Sequence, residues 1–337
     1  MRSLLLTVLL VCSSLAPTHA FAEQVNIYSF RQPFLIEPIL AEFSKSTGIK
    51  TKVIFAKKGL IQRLKREGEL SPADIVLTSD FSKLLQLKEE GLSQSFELSH
   101  VLNTNIPSQY RDTDNNWLAL TKRVRNVYSS KERMGDLSHI RYEDLANKEF
   151  SGRICTRSGK HPYNLGLVAS MIAHHGEAET ENWLRNVKTN LARKPQGNDR
   201  AQVKAIKEGL CDISLGNSYY LGKMLQDPNQ VAWANAVNLN FPNQKDRGSH
   251  INVSGAVIAK YAPNKQAAQQ LLEFLSANQA QNLYAELNME YPVSPSAKPS
   301  TLVQSWGAFK SDSLPLVEIA KNRQLALKLI DKVHFDL

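Results

Sequence analysis

Apolar positions along the chain follow two alternating periods, and this alternation predicts strands and helices in turn. Apolar runs typical of strands occupy residues 25–29, 50–55 and 74–78. The intervening segments 33–47, 59–66 and 81–90 repeat apolar residues at helical spacing, and the first of them ends at Gly48. Strands that alternate with helices of this length predict βαβ units and a mostly parallel sheet.

A second α/β rhythm follows a polar interruption at Thr121-Lys122-Arg123, which separates strand-like runs at 117–120 and 124–128. We predict that the chain crosses between two lobes here. The later elements are predicted strands at 153–156, 211–215 and 252–259, and predicted helices at 162–175, 177–191, 200–208, 265–276, 279–287 and 316–333.

The predicted fold is therefore α/β with two lobes, as in hinged binding proteins. Each lobe has a mixed, mostly parallel sheet flanked by helices, and hinge strands join the two. Residues 23–121 and 248–297 are assigned to the first lobe, and residues 122–247 and 298–337 to the second. Ligands of open α/β sheets bind beyond the carboxyl ends of the strands.

The first 22 residues have the pattern of a secretory signal peptide. Arg2 precedes an apolar run from residue 4 to 15, and Ala20-Phe21-Ala22 forms a small-x-small cleavage site. Cleavage after Ala22 is expected, with cleavage after Ala20 as the alternative. The mature chain is then expected in the periplasm, which is an oxidising compartment.

Two cysteines remain after removal of the signal peptide, and an even pair in an oxidising compartment predicts a disulfide. Bonding Cys155 to Cys211 closes a loop of 57 residues, which the chain-entropy model values at about 4 kcal/mol. Two buried free thiols are the alternative.

Charge and motifs limit the possible functions. The chain has 41 basic and 32 acidic residues and a net charge of +9. Its basic residues are spread along the chain rather than clustered with aromatic residues, so no nucleic-acid partner is expected, whereas an anionic ligand is compatible with this charge. The sequence contains no GxSxG, HExxH or phosphate-loop motif, so we expect no enzyme. A secreted enzyme of unidentified chemistry stays as an alternative.

Three tyrosines follow the two cysteines, and the first tyrosine after each of these cysteines stands at the same spacing. Cys155 precedes Tyr163 by eight residues, and Cys211 precedes Tyr219 by eight. If the two strands are parallel neighbours, both tyrosine-bearing turns lie at one edge of the sheet. Pro162 suits the first position of a helix and Ser218 suits a helix cap, which places Tyr163, Tyr219 and Tyr220 in first helical turns.

Phenols in such a cluster suit a hard, highly charged cation. A free phenol has a pKa of about 10, so a phenolate at neutral pH needs a strong positive charge beside it. Fe³⁺ matches anionic oxygen donors, whereas zinc or copper would need His or Cys ligands. On spacing alone, an aromatic pair that lines a pocket for a small organic ligand is equally compatible with these residues.

Four motifs add a family resemblance. They are VNIYSFRQP at 25–33, ELSPAD at 69–74, LARKPQG at 191–197 and GNSYY at 216–220. With them the chain from residue 25 to 337 resembles the periplasmic ferric-ion-binding proteins, the substrate-binding subunits of bacterial iron ABC importers, and most closely the subgroup whose protein ligands are all tyrosines.

The resemblance implies a site and its partners. Tyr163, Tyr219 and Tyr220 would bind Fe³⁺, and carbonate or another small synergistic anion would bind at Arg123. Arg31 and Gln32 would face the cleft from the first lobe, which is expected to give no direct ligand or at most a weak one. A monomer that delivers iron to an inner-membrane ABC permease is expected.

Overall fold

The computed structural model describes residues 24–337, so the predicted signal peptide and its cleavage site lie outside the described residues. The strands in this range are β1 (Gln24–Ser29), β2 (Lys50–Phe55), β3 (Ile75–Thr78), β4 (Ser93–Gln94), β5 (Leu118–Ser130), β6 (Ile154–Cys155), β7 (Ile213–Asn217), β8 (Val237–Asn240), β9 (Ile251–Ala259) and β10 (Tyr291–Pro292).

The helices alternate with these strands over most of the chain. They are α1 (Pro33–Thr47), α2 (Leu60–Glu67), α3 (Phe81–Glu89), α4 (His100–Asn105), α5 (Pro162–Thr189), α6 (Asp199–Lys207), α7 (Tyr219–Leu225), α8 (Val231–Asn235), α9 (Lys265–Ser276), α10 (Asn278–Asn288), α11 (Thr301–Gln304), α12 (Leu316–Lys321) and α13 (Arg323–Lys332).

Hydrogen-bonded strands follow the order β2, β1, β3, β9, β5, β7, β6. β1 is parallel to β2 and β3, and β6 is parallel to β7. β9 is antiparallel to β3 and β5, and β5 is antiparallel to β7. The sheet is mixed, as predicted. It contains more antiparallel pairing than the βαβ pattern indicated, because the two long strands β5 and β9 run in opposite directions.

The strand β5 corrects one detail of the prediction. The runs at 117–120 and 124–128 belong to one strand. The polar residues 121–123 that separate them, together with residue 124, pair with residues 251–254 of β9. A bulge lies between Ala119 and Thr121. From Arg125 onward the strand pairs with β7 and β8 instead. β5 therefore connects two groups of strands, and Arg123 lies two residues before the change of partner.

The helices follow the predicted periodicity closely. In α1 the buried residues are Ile36, Ile39, Leu40 and Phe43, which is the apolar stripe of an amphipathic helix. The predicted helices 162–175 and 177–191 join as α5 but are separated by a kink at Gly176, where φ is 79°. The predicted helix 316–333 is divided into α12 and α13 at Asn322. Within residues 24–337, none of the helices combines the length and apolar character that a membrane span needs.

Cys155 and Cys211 form the predicted disulfide, with Cα atoms 5.8 Å apart. β6 and β7 are the parallel neighbours that the spacing argument required, with Cys155 opposite Ser214. β7 begins at Ile213 rather than at Cys211, so the disulfide joins the end of β6 to the residues just before β7. The two tyrosine-bearing turns consequently follow adjacent strands.

Candidate functional site

A cavity of about 390 Å³ lies where the two groups of strands meet. It is lined by the six site residues that the sequence analysis names, Arg31, Gln32, Arg123, Tyr163, Tyr219 and Tyr220. Among small-molecule sites this volume is at the lower end of the usual range of about 300–1,000 Å³. The structure therefore brings all six side chains to one small cleft.

The three phenols are in contact with one another. The hydroxyl oxygens of Tyr163 and Tyr219 are 3.4 Å apart. The rings of Tyr219 and Tyr220 have centroids 4.2 Å apart with planes inclined by 32°, so the two rings are in contact. All three side chains are half-buried. Phenols from two helices thus cluster in the cavity, with the Tyr163 and Tyr219 oxygens adjacent and the Tyr220 ring against that of Tyr219.

The first turn of α5 places Tyr163. Pro162 occupies the first helical position, and the Nδ1 atom of His161 accepts a hydrogen bond from the Tyr163 backbone N–H at 3.3 Å. Burial, together with the nearby Arg157 charge, lowers the pKa of His161 to about 3. The imidazole is therefore neutral at neutral pH, which leaves Nδ1 free to accept this bond. The sequence interpretation of Pro162 as a helix start is confirmed.

The first turn of α7 places Tyr219 and Tyr220, but not through the predicted cap. Ser218 makes no side-chain capping bond, because its backbone is already helical, with φ −55° and ψ −41°. Its backbone N–H instead donates to the Val124 carbonyl of β5 at 3.0 Å. The start of α7 is therefore fixed by the sheet rather than by the serine hydroxyl.

Arg123 contacts the phenol cluster directly. Its Nη1 donates to the Tyr163 hydroxyl at 3.5 Å, and its Nη2 donates to the Ser79 carbonyl that follows β3. Only 2% of the side chain is exposed. A buried guanidinium beside three phenols suits the binding of an anion at the same point.

Arg125, two residues further along β5, lies behind the phenols. Its Nη1 donates to Asp199 Oδ2 at 2.6 Å, and its Nη2 donates to Asn164 Oδ1 at 2.6 Å. Arg157 donates to the other oxygen of Asp199 at 3.0 Å. The Tyr163 ring lies near all these charges, with the guanidinium carbons of Arg157 and Arg125 at 5.4 and 6.0 Å from its centroid. A phenolate at Tyr163 would therefore lie close to the positive charges of Arg125 and Arg157.

Arg31 and Gln32 reach the cavity from the loop between β1 and α1. Arg31 is buried, and its Nη2 lies 3.0 Å from Glu290 Oε2 in an ion pair. Gln32 is exposed and occupies the position before α1 without a side-chain capping bond. The charge of Arg31 is therefore partly compensated by Glu290, whereas no carboxylate is paired with Arg123 among the described residues.

Burial keeps the phenols of Tyr219 and Tyr220 protonated in the absence of a cation. It raises the pKa of Tyr219 well above the ordinary value, and the neighbouring Tyr163 and Tyr220 raise it further. Burial also raises the pKa of Tyr220 to about 12. At neutral pH these side chains are neutral, so a ligand that binds phenolates must displace their protons.

Phenols are the clustered candidate donors for a metal ion in this cleft. Across residues 24–337, no group of three or more His, Cys, Asp or Glu side chains is placed to hold a metal ion. The donors that cluster in the cavity are therefore phenolic oxygens, which favour a hard cation of high charge.

Sequence reasoning missed four residues that support the site, namely Ser79, Arg157, Asp199 and Glu290. Asp199 and Arg125 are 74 residues apart, and Glu290 and Arg31 are 259 residues apart. No local motif marks them. A run of polar residues at the predicted start of α6 was the one available signal for Asp199.

An α/β chain with two groups of strands and a small cleft where they meet is an architecture typical of solute-binding proteins. Residues 71–308 match the family model of the bacterial extracellular solute-binding proteins. The chain belongs to this family. Membership places it among solute-binding transport proteins rather than enzymes.

Individual relatives agree with this assignment. Iron uptake protein A1 of Synechocystis sp. is 38% identical over 321 residues, covering 94% of this chain and 89% of that protein. The structure of apo ferric ion-binding protein A from Pasteurella haemolytica superposes with a TM-score of 0.89 at 54% identity, covering 94% of this chain and 99% of that chain. A Trichodesmium protein in complex with iron and citrate ligands gives a TM-score of 0.88 at 38% identity, covering 93% and 99%. The resemblance to ferric-ion-binding proteins is confirmed.

Proposed function

We propose that the chain captures ferric iron in its cleft through the phenolates of Tyr163, Tyr219 and Tyr220. The observation that carries the proposal is the convergence of these three side chains, with the Tyr163 and Tyr219 oxygens 3.4 Å apart. Hard anionic oxygens match Fe³⁺, and the trivalent charge supplies the driving force that ionises buried phenols. Relatives named for iron uptake and ferric-ion binding support this assignment.

A small synergistic anion completes the coordination in this proposal. Carbonate is the expected anion, and Arg123 binds it because its guanidinium is buried at the phenol cluster without a carboxylate partner. Arg31 and Gln32, which also line the cavity, contribute to binding the anion. Two ligand oxygens from one carbonate would raise the ligand count from three phenolates to five.

The proposal includes two lobes around the cleft and a place in transport. We assign residues 23–121 and 248–297 to the first lobe, and residues 122–247 and 298–337 to the second, which carries the phenols. The change of partners along β5 near residue 124 supports a boundary in this region. The protein acts as a periplasmic monomer and delivers iron to an inner-membrane ABC permease.

The test is the visible absorbance of the purified protein after addition of ferric iron and bicarbonate. A phenolate-to-iron charge-transfer band is expected, and Tyr219→Phe should remove much of it. Tyr261→Phe is the matched control, since Tyr261 is 40% exposed and lies outside the cavity. This control should keep the full band.

Two outcomes contradict the proposal. A wild-type protein that stays colourless and fails to retain iron rules out ferric capture and favours an organic ligand held by the tyrosines. A band of unchanged intensity in Tyr219→Phe excludes that residue as a ligand.

A further inference from the structure

Glu290 is a buried carboxylate with one oxygen engaged and one oxygen free. The side chain is 4% exposed and lines the cavity. Its Oε2 atom accepts hydrogen bonds from Arg31 Nη2 at 3.0 Å and Thr121 Oγ1 at 2.7 Å. Within residues 24–337 no donor reaches Oε1, and this atom is not among the fully enclosed polar atoms of the structure. One anionic oxygen is thus held in place and available to the cleft.

The strand register places Glu290 beside the phenol cluster. In the antiparallel pairing of β10 with β5, Tyr291 is opposite Lys122 and Pro292 is opposite Thr121. Extending this register by one residue puts Glu290 opposite Arg123. Side chains at directly opposite positions have Cβ atoms about 4.5–5.5 Å apart. Because Arg123 donates to the Tyr163 hydroxyl, Glu290 lies next to the site at which the phenols converge.

Another carboxylate lines the cavity, but its oxygens are both in use. Asp227 Oδ1 accepts from the Asn229 backbone N–H at 2.9 Å, and Oδ2 accepts from the Gln230 side chain. These bonds belong to the turn that follows α7. Glu290 is therefore the carboxylate of the cavity lining that offers an unbonded oxygen.

We propose that Glu290 Oε1 is a direct iron ligand from the first lobe, an inference that rests on the proposed ferric function. Three phenolates and a bidentate carbonate give five donors, and Glu290 supplies the sixth. Carboxylate oxygen is a hard donor of the kind that Fe³⁺ favours. Metal-binding carboxylates are typically held by hydrogen bonds to their other oxygen, and Arg31 and Thr121 provide these bonds here. This replaces the expectation that the first lobe gives no direct ligand.

The first experiment compares Glu290→Gln with wild type in ferric iron and bicarbonate. The isosteric amide removes the anionic oxygen, so affinity measured against a competing chelator should fall by more than about 100-fold, beyond the usual effect of losing a supporting residue. The charge-transfer band should move to longer wavelength, because iron with one anionic donor fewer accepts phenolate electrons more readily. Glu286→Gln, at an exposed position of the preceding helix α10, should change neither quantity.

Further variants separate ligation from support of Arg31. Arg31→Met removes the ion pair and one group assigned to the anion, so iron affinity should fall, but it keeps the Glu290 carboxylate, so it should shift the band much less than Glu290→Gln does. Glu290→Asp keeps the charge and shortens the side chain by one methylene, so it should fold even if the glutamine variant does not, and it should still shift the band. A crystal structure of the iron-loaded protein should show Glu290 Oε1 bound to the ion.

The inference is overturned if the band position and affinity of Glu290→Gln match wild type. It is also overturned if Arg31→Met and Glu290→Gln lose equal affinity with no band shift, or if Glu290 stays clear of iron in the loaded crystal. Each of these results leaves the proposed ferric function intact. That function is contradicted only if the wild-type protein shows no visible charge-transfer band and does not retain iron.

Discussion

Asp199 balances the charges beneath the phenols, and Asp199→Asn tests how far those charges stabilise the site. The side chain is fully buried. Its Oδ2 accepts from Arg125 at 2.6 Å and from the Asn217 backbone N–H at 3.0 Å, and its Oδ1 accepts from Arg157 at 3.0 Å. The two arginines are 2% and 11% exposed. The asparagine keeps the shape of the side chain but leaves two enclosed guanidiniums without a counter-charge.

The expected cost is large. Removing one partner of a buried ion pair destabilises a protein by about 3–5 kcal/mol. With an unfolding entropy of about 2.1 cal/mol/K per residue, this corresponds to a decrease of about 5–8 °C in melting temperature for a chain of this size. Iron affinity should also fall by about 10–100-fold, since Asp199 holds the end of β7 just before Tyr219.

Denaturant unfolding of the iron-free protein measures the change in the free energy of unfolding. Asp114→Asn is the control, because that carboxylate is 71% exposed and its contact with Lys88 at 2.9 Å is a surface pair. Such pairs contribute about 0–1 kcal/mol. The control should therefore lie close to wild type.

The pH dependence of the free energy of unfolding provides a second test, because the reasoning also predicts its direction. Burial alone would raise the pKa of Asp199, but the Arg125 and Arg157 charges hold it below the ordinary value. Its stabilisation is therefore present above the unfolded pKa of about 3.9 and is lost as the pH falls through the lower folded pKa. The difference in the free energy of unfolding between wild type and Asp199→Asn should therefore become smaller as the pH falls toward 3. A gap under about 0.5 kcal/mol at pH 7, or one that is constant down to pH 3, would refute the reasoning.

Two further predictions concern the anion and the disulfide. Arg123→Ala removes the guanidinium at the phenol cluster, so iron retention measured with and without carbonate should lose most of its anion dependence, and an unchanged dependence would count against this role. Replacing both Cys155 and Cys211 by alanine frees a loop whose ends are 56 positions apart. The free energy of unfolding should fall by about 4 kcal/mol, and a loss below about 1 kcal/mol in denaturant unfolding would contradict the entropic estimate.

Elements with strong local signals were predictable from sequence. The bounds of α1, β2 and α9 agree with the prediction residue by residue, since each has clear periodicity and a glycine, proline or serine near an end. The break in the predicted helix 316–333 at Asn322 was not predictable, because its apolar spacing continues across the break. The continuity of β5 also depends on a distant partner, β9, which pairs with the polar residues that local pattern assigned to a connection.

The residues of the candidate site also fall into two groups, those that the sequence identified and those that it did not. The tyrosines were identified because proline, cysteine spacing and adjacent phenols are short-range signals. Glu290 and Asp199 were missed because their roles arise from contacts that the fold creates between distant segments. Ser218 is the opposite case, in which a local signal was misleading. Serine is a favourable capping residue, so a capping hydrogen bond was predicted, but the helical backbone conformation of Ser218 excludes that bond.

Tyrosine ligation to iron is the central claim, and resonance Raman spectroscopy of the iron-loaded protein tests it most directly. Excitation within the visible band should enhance tyrosinate ring vibrations, and replacement of Tyr163, Tyr219 and Tyr220 together by phenylalanine should abolish both the band and the enhancement. Iron retained by the wild-type protein without any enhanced tyrosinate vibration would contradict the account.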